Sequence, residues 1–340
     1  MDPISQASLG AAFAQSASNK DKVKAASLFG CFGGLAPDLD ILIFSPTDPL
    51  LFLEFHRQFT HSLIFIPIGA LLVTIVLYRW LGKEFSFKQS YLFCLLGYAT
   101  HGLLDACTTY GTQLLWPFSS ERFAWNNVSI IDPLFTIPIL ILIVLGVRRK
   151  QPWLARFAFV WAIAYLSFGI IQRDRAISLG YQLAESRGHT PIRLDAKPGF
   201  ANLILWKVIY ETNDYFYVDA VRVGISHKTY PGDRAEKLSM AEHFPWLNKT
   251  SQQAKDVERF RWFSNNYLAS DPNNPNRIID VRYSVVPNEI KALWAIELDP
   301  KKASDAHATW LSLRNTETEQ TAKWWRMLTN THYGYPEPGP

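Results

Sequence analysis

Long apolar runs fill the chain as far as about Gln172 and then give way to short alternating segments, so two kinds of domain are predicted. Residues 61–80, 91–104, 130–147 and 152–171 are predominantly apolar, and a membrane-spanning helix needs about 20 such residues. Residues 23–44 are also long enough to cross, but Gly33-Gly34, Pro37, Asp38 and Asp40 interrupt them, and Pro37 is expected to end or break the helix. Residues 4–17, rich in small side chains, are too short to span unaided; they form either a surface helix or one arm of a hairpin with residues 23–36. The first half therefore reads as a multipass α-helical membrane domain, residues 1–172, with about 4–5 spans plus a short N-terminal helix.

The second half, residues 173–340, reads as a small soluble α+β domain with antiparallel hairpins. Residues 203–210 and 215–223 are β-branched and aromatic runs around a polar turn, and residues 277–286 and 290–298 repeat the pattern around Pro287-Asn288. Residues 252–268 have the period of an amphipathic helix, and Trp310, Trp324 and Trp325 mark a final packing segment. The histidines of this half, His189, His227, His243, His307 and His332, are scattered without ligand spacing.

Charge adds orientation. The loops richest in Lys and Arg, residues 79–88 and 148–156, belong in the cytoplasm by the positive-inside rule, and Lys20, Lys22 and Lys24 agree. The 37–40 break, the 45–60 loop, the end of the 91–104 span and the 108–129 loop then face outward, and five crossings place the C-terminal domain outside. Met1-Asp2-Pro3 lacks the basic start of a signal peptide, so none is expected there. A formal net charge of +4, with no basic stripe interleaved with aromatics, argues against nucleic acid as a partner. Cys31, Cys94 and Cys107 match neither a disulfide framework nor a zinc-finger spacing and read as small buried hydrophobes.

The candidate chemistry lies at that outer level. His101 and Asp105, four apart, share one helix face, and imidazole with carboxylate is a usual ligand pair for a divalent metal. His56 and His61 flank the start of the second long span, and Asp38 and Asp40 follow Pro37. Each has a plainer reading: His56 and His61 as interfacial residues, Asp38 and Asp40 as a turn, Asp105 as a partner that orients His101. Ionisable side chains at membrane depth are costly unless paired, which favours ligation. Asp132, before Pro133, reads as a helix start. Arg57 suits an anionic substrate or a carboxylate partner, and Thr108 and Thr109 suit substrate oxygens or an ordinary helix end.

Together, Pro37-Asp38-Leu39-Asp40, His56-Arg57-Gln58-Phe59-Thr60-His61-Ser62, His101-Gly102-Leu103-Leu104-Asp105, Thr108-Thr109-Tyr110-Gly111-Thr112 and Leu115-Trp116-Pro117-Phe118 resemble the YdjM-like family of bacterial inner-membrane metal-dependent hydrolases. The resemblance covers roughly the first half of the chain. It implies a multipass protein of the bacterial inner membrane with a divalent metal, zinc first and manganese or magnesium as alternatives. The metal ligands would come from Asp38, Asp40, His56, His61, His101 and Asp105, with Asp40 or Asp105 free to serve as general base. Arg57, Thr108 and Thr109 would meet the substrate, a lipid or phosphate ester. Such sequences often begin Met-Asp-Pro-x-Thr-His, whereas Ser5-Gln6 stands here, and glutamine is a poor transition-metal ligand. The competing class is a non-enzymatic membrane protein, in which the cluster is a structural metal site or part of a cation pathway.

Overall fold

The computed structural model describes residues 1–81, 85–314 and 318–330; His332 and the middle of the 79–88 loop lie outside them. The chain divides into two compact units. The first comprises Met1–Phe44, Glu54–Ile171 and Phe200–Asn202, and the second Ser45–Leu53, Gln172–Gly199 and the chain from Leu203 onward.

In the first unit, α1 (Pro3–Ser16) starts at Asp2, whose carboxylate accepts from the Ile4 and Ser5 amides, with Pro3 at the first helical position. Helix α2 (Val23–Leu35) is followed by a 3-10 turn over Ala36–Leu42, the break expected at Pro37. Helices α4 (Ile66–Leu81), α5 (Phe87–Cys107), α6 (Pro133–Arg149) and α7 (Trp153–Ser186) follow, with the short α3 (Leu51–Phe55) before them. Among the described residues, three segments are long and apolar enough to cross a membrane, Val23–Leu42, Leu63–Leu81 and Trp153–Ser186. This is fewer than the 4–5 expected. Helix α6 has only 17 residues, and α5 buries polar side chains among its apolar ones, including Ser90, Thr100, His101 and Asp105.

Glycines let α1, α2 and α5 pack backbone to backbone. A Cβ on Gly97 of α5 would fall 2.2 Å from the Gly30 carbonyl oxygen of α2, and one on Gly102 the same distance from the His61 carbonyl oxygen. That close approach, as at small-residue interfaces between membrane helices, brings the polar face of α5 against the 3-10 turn. Asp132 caps α6, accepting from the Leu134 and Phe135 amides and from the Tyr165 hydroxyl (2.9 Å), so its role is structural.

The second unit holds two antiparallel sheets. One runs β1 (Arg193–Pro198), β2 (Leu205–Glu211), β3 (Tyr215–Val223), β4 (His227–Tyr230), with β5 (Arg234–Glu236) also on β3. The other runs β6 (Leu268–Asp271), β7 (Asn274–Asp280), β8 (Trp294–Glu297), β9 (Thr309–Ser312). The first expected hairpin is present as β2–β3. Of the second, β7 and β8 do pair, but the strands stop at Asp280 and start again at Trp294, so residues 281–293 form a long connection rather than a turn at Pro287-Asn288. Ile209, Phe216 and Val218 of the first sheet share a core with Ile279, Val281 and Ala295 of the second. Gly180 of α7 abuts the Val208 side chain, so β2 is covered on both faces and buried along its whole length. Three short helices complete the unit: α8 (Met240–His243), α9 (Gln252–Phe263) and α10 (Thr318–Thr329).

Two features differ from expectation. Helix α7 continues 15 residues beyond Ile171, because Gln172, Ala176, Gly180 and Ala184 keep a buried stripe at helical spacing through the more polar stretch. The Ser45–Leu53 part of the loop between the first two spans belongs to the second unit. There Asp48 accepts both guanidinium nitrogens of Arg259 (2.9 and 2.8 Å), and the Phe52 ring meets Trp310 edge-on.

Candidate metal centre

Four side chains from three places in the sequence converge inside the first unit: Asp38 from the 3-10 turn, His61 from the segment before α4, and His101 and Asp105 from the last turns of α5. His61, His101 and Asp105 are buried, whereas the Asp38 side chain is 29% exposed and forms the open edge. His61 Nε2 lies 2.9 Å from His101 Nε2, 3.5 Å from Asp38 Oδ1 and 3.4 Å from Asp105 Oδ2. His101 Nε2 lies 3.3 Å from Asp38 Oδ1 and 3.9 Å from Asp105 Oδ2. A tetrahedral zinc with ligands at about 2.0–2.2 Å sets donor pairs about 3.3–3.6 Å apart. The four donors therefore already enclose a space of the right size.

Hydrogen bonds behind the histidines fix which nitrogen faces that space. His101 Nδ1 donates to the Gly34 carbonyl (2.5 Å), and His61 Nδ1 sits 3.0 Å from Thr60 Oγ1 and 3.2 Å from Asp40 Oδ2. With each Nδ1 turned to a partner of its own, both Nε2 atoms point into the cluster and face each other at 2.9 Å. A pair of imidazole nitrogens at that distance needs either a shared proton or a cation between them. Asp105 Oδ2 also has no hydrogen-bond partner although it is fully buried. The Arg57 Nε, 3.0 Å away, supplies charge but not bond geometry. An acceptor without a hydrogen bond, two imidazole nitrogens turned inward and a second carboxylate form a donor set that fits a divalent cation.

The remaining candidates sit around this set. Asp40 is buried behind it: Oδ1 meets His56 Nδ1 (2.7 Å), and Oδ2 accepts from the Arg57 amide (3.0 Å) and the Thr60 hydroxyl (2.9 Å). Asp40 thus joins His56 and His61, and Asp38, Asp40 and His56 make a second, more open group. The His56 side chain is 34% exposed. Arg57 is buried with a left-handed backbone (φ 68°), a costly conformation for a side-chain-bearing residue. Its amide is held by Asp40, and its carbonyl accepts from the Gln113 amide (3.0 Å). Its Nη1 donates to Thr108 Oγ1 (3.1 Å), and its guanidinium lies over the Tyr110 ring. Thr108 and Thr109 are both buried at the end of α5.

Gln6, which stands where similar sequences often carry histidine, is fully buried, and its Nε2 donates to Asp105 Oδ1 (2.9 Å). The Met1 amino group contacts the same oxygen. Gln6 therefore leaves Asp105 Oδ2 for the cluster. The Gly34 carbonyl and Thr60 were not anticipated as orienting groups. Thr60 was visible in the sequence as the polar residue next to His61, whereas a backbone carbonyl leaves no sequence signal beyond the glycine itself.

A helical membrane unit built around a buried His/Asp cluster that fits a divalent cation defines the class of protein. Comparison with known sequences makes this specific: the chain belongs to the YdjM inner membrane protein family, whose sequence model matches residues 1–176. Inner membrane protein YbcI of Escherichia coli (strain K12) is 35% identical over 105 residues, 30% of this chain and 60% of YbcI. The uncharacterized protein YfhP of Bacillus subtilis (strain 168) is 29% identical over 105 residues, 31% of this chain and 32% of YfhP. The alignments thus span less than two thirds of either relative. No solved structure matches.

Proposed function

We propose that the protein is a metal-dependent hydrolase of the inner membrane that cleaves a phosphate ester carried on a lipid. The observation that carries this reading is the pair of facing Nε2 atoms with the orphaned Asp105 Oδ2, a donor set that a bound divalent metal would complete. His61, His101, Asp38 and Asp105 would hold the metal, zinc by donor type, with Asp38 on the accessible side. Such an ion supplies Lewis acidity toward a phosphoryl oxygen and acidifies water near neutral pH.

The chain's own groups provide the rest. Arg57, fixed by Thr108 and the Tyr110 ring, presents a buried cation beside the cluster, which suits a phosphoryl oxygen. Asp40 orients His56, whose ring is partly open to the exterior and placed to take or return a proton. Around the open edge the side chains of Leu39, Ile41, Leu42 and Phe44 are all exposed, an apolar rim that favours an amphiphile over a soluble ester.

We read α5 and α6 as spans as well, giving five crossings from α2 onward and a C-terminal domain on the outer face. The basic residues at helix ends, Arg79, Arg148 and Arg149, lie at the opposite end from the cluster in chain order, which supports this.

The test is hydrolysis of phospholipids and lipid-linked phosphates by purified protein with added zinc, manganese or magnesium. Turnover that chelation stops and His61→Ala abolishes is expected. Protein that binds metal fully yet turns over none of these esters would leave the cluster as a structural metal staple.

A further inference from the structure

Helix α7 outlasts the bilayer. Its 34 residues extend about 51 Å at 1.5 Å per residue, against a hydrocarbon core of about 30 Å. The apolar stretch closes at Ile170-Ile171, and Gln172-Arg173-Asp174-Arg175 follow, so those four residues lie at headgroup level. From there α7 runs along the first sheet of the second unit. Gln172 Nε2 donates to the carbonyls of Leu203 (3.0 Å) and Val223 (2.7 Å), Gly180 abuts Val208, and Arg187, just past the helix end, forks onto Asp219 (2.7 Å to each oxygen).

The sheet is thereby oriented. The Val223 end of β3 is held at Gln172, beside the close of the apolar stretch, and Asp219, nearer the Tyr215 end, meets Arg187. The β3–β4 turn, Gly224-Ile225-Ser226, is fixed at that level by Arg175, whose Nη2 donates to the Gly224 carbonyl (2.8 Å). Ile225 at its tip is the most exposed large apolar side chain among the described residues. Turns ordinarily carry Gly, Asn, Asp or Ser, and the turn at the other end of β3, Thr212-Asn213-Asp214, is wholly polar. Residues 172–175 and 222–228 carry Arg173, Arg175, Arg222 and Lys228 against one carboxylate, Asp174.

We propose that Ile225 inserts into the interfacial layer of the bilayer that α7 leaves, and that Arg173, Arg175, Arg222 and Lys228 contact anionic headgroups around it. An apolar tip ringed by basic side chains is the chemistry of a membrane-surface contact. The contact is independent of whether the protein is a hydrolase.

Full-length protein carrying Ile225→Cys in a Cys31→Ser background, with Cys94 and Cys107 left buried, is labelled with an environment-sensitive dye. It is then reconstituted into phosphatidylethanolamine vesicles with phosphatidylglycerol. Blue-shifted emission and quenching by a headgroup-proximal spin-labelled lipid are expected, with quenching at least halved in pure phosphatidylcholine. The same label at Asn213→Cys should remain open to aqueous iodide. Equal iodide access at both positions would overturn the insertion, as would a blue shift at position 225 without lipid quenching, since a protein surface would then cover the tip. Equal lipid quenching in both vesicle types would overturn the headgroup contacts.

Discussion

Asp40 illustrates how much depends on atoms that need not touch a metal. It binds His56, the Thr60 hydroxyl and the Arg57 amide, and it lies 3.2 Å from His61 Nδ1. Replacing an orienting carboxylate of this kind typically lowers metal affinity about 10–100-fold. Asp40→Asn is therefore expected to weaken zinc binding by that order in a chelator competition, with the ion still bound at high concentration. Gln6→Ala should have a smaller effect, because Gln6 holds only the Oδ1 side of Asp105. The residues of the cluster were legible in the sequence because charge at membrane depth is conspicuous. Their division into inward-facing and orienting groups was not, since it depends on which nitrogen of His61 and His101 meets Asp40, Thr60 or the Gly34 carbonyl.

Among the elements, the packing of α5 on α2 sets the geometry. Gly97→Val would drive a side chain into the Gly30 carbonyl, and overpacking of this kind costs about 1–3 kcal/mol. A lower melting temperature in detergent is expected, together with loss of metal, although position 97 contributes no ligand. Breaks and long apolar runs identified α2, α4 and the first half of α7 from sequence. Strands β1, β6 and β9 escaped notice because they lack an apolar alternation: β1 reads RLDAKP, β6 LASD and β9 TWLS. Their pairing is set by neighbouring strands rather than by their own pattern. The extension of α7 was hidden for a related reason: its buried stripe uses glutamine, alanine and glycine, which hydropathy does not register.

At the scale of the whole molecule, a membrane unit and a two-sheet unit follow different rules. The second unit buries a cation in its central strand. Lys207 Nζ donates to Ser284 Oγ (2.7 Å) and the Glu289 carbonyl (2.9 Å), and burial pushes its pKa down to about 7 against the pull of Asp280, Glu289 and Asp233. An unfolded lysine titrates near about 10.4. Between these values the unfolded chain binds the proton that the folded unit has released, so stability should rise with pH from about 7 toward about 10. Below about 7 both states hold the proton and this dependence vanishes. A thermal melt of the full-length protein across that range should show the rise, and Lys207→Met should flatten it. An unchanged slope in the variant would exclude Lys207 as its source.

The central claim is that His61, His101, Asp38 and Asp105 hold a divalent cation. Its most direct measurement is the metal content of purified full-length protein, determined by elemental analysis for wild type, His101→Ala and Asp105→Ala, with helicity checked by circular dichroism. About one zinc per chain is predicted in wild type and essentially none in either variant at unchanged helicity. The same metal content in all three proteins, or none in zinc-supplied wild type, would contradict it.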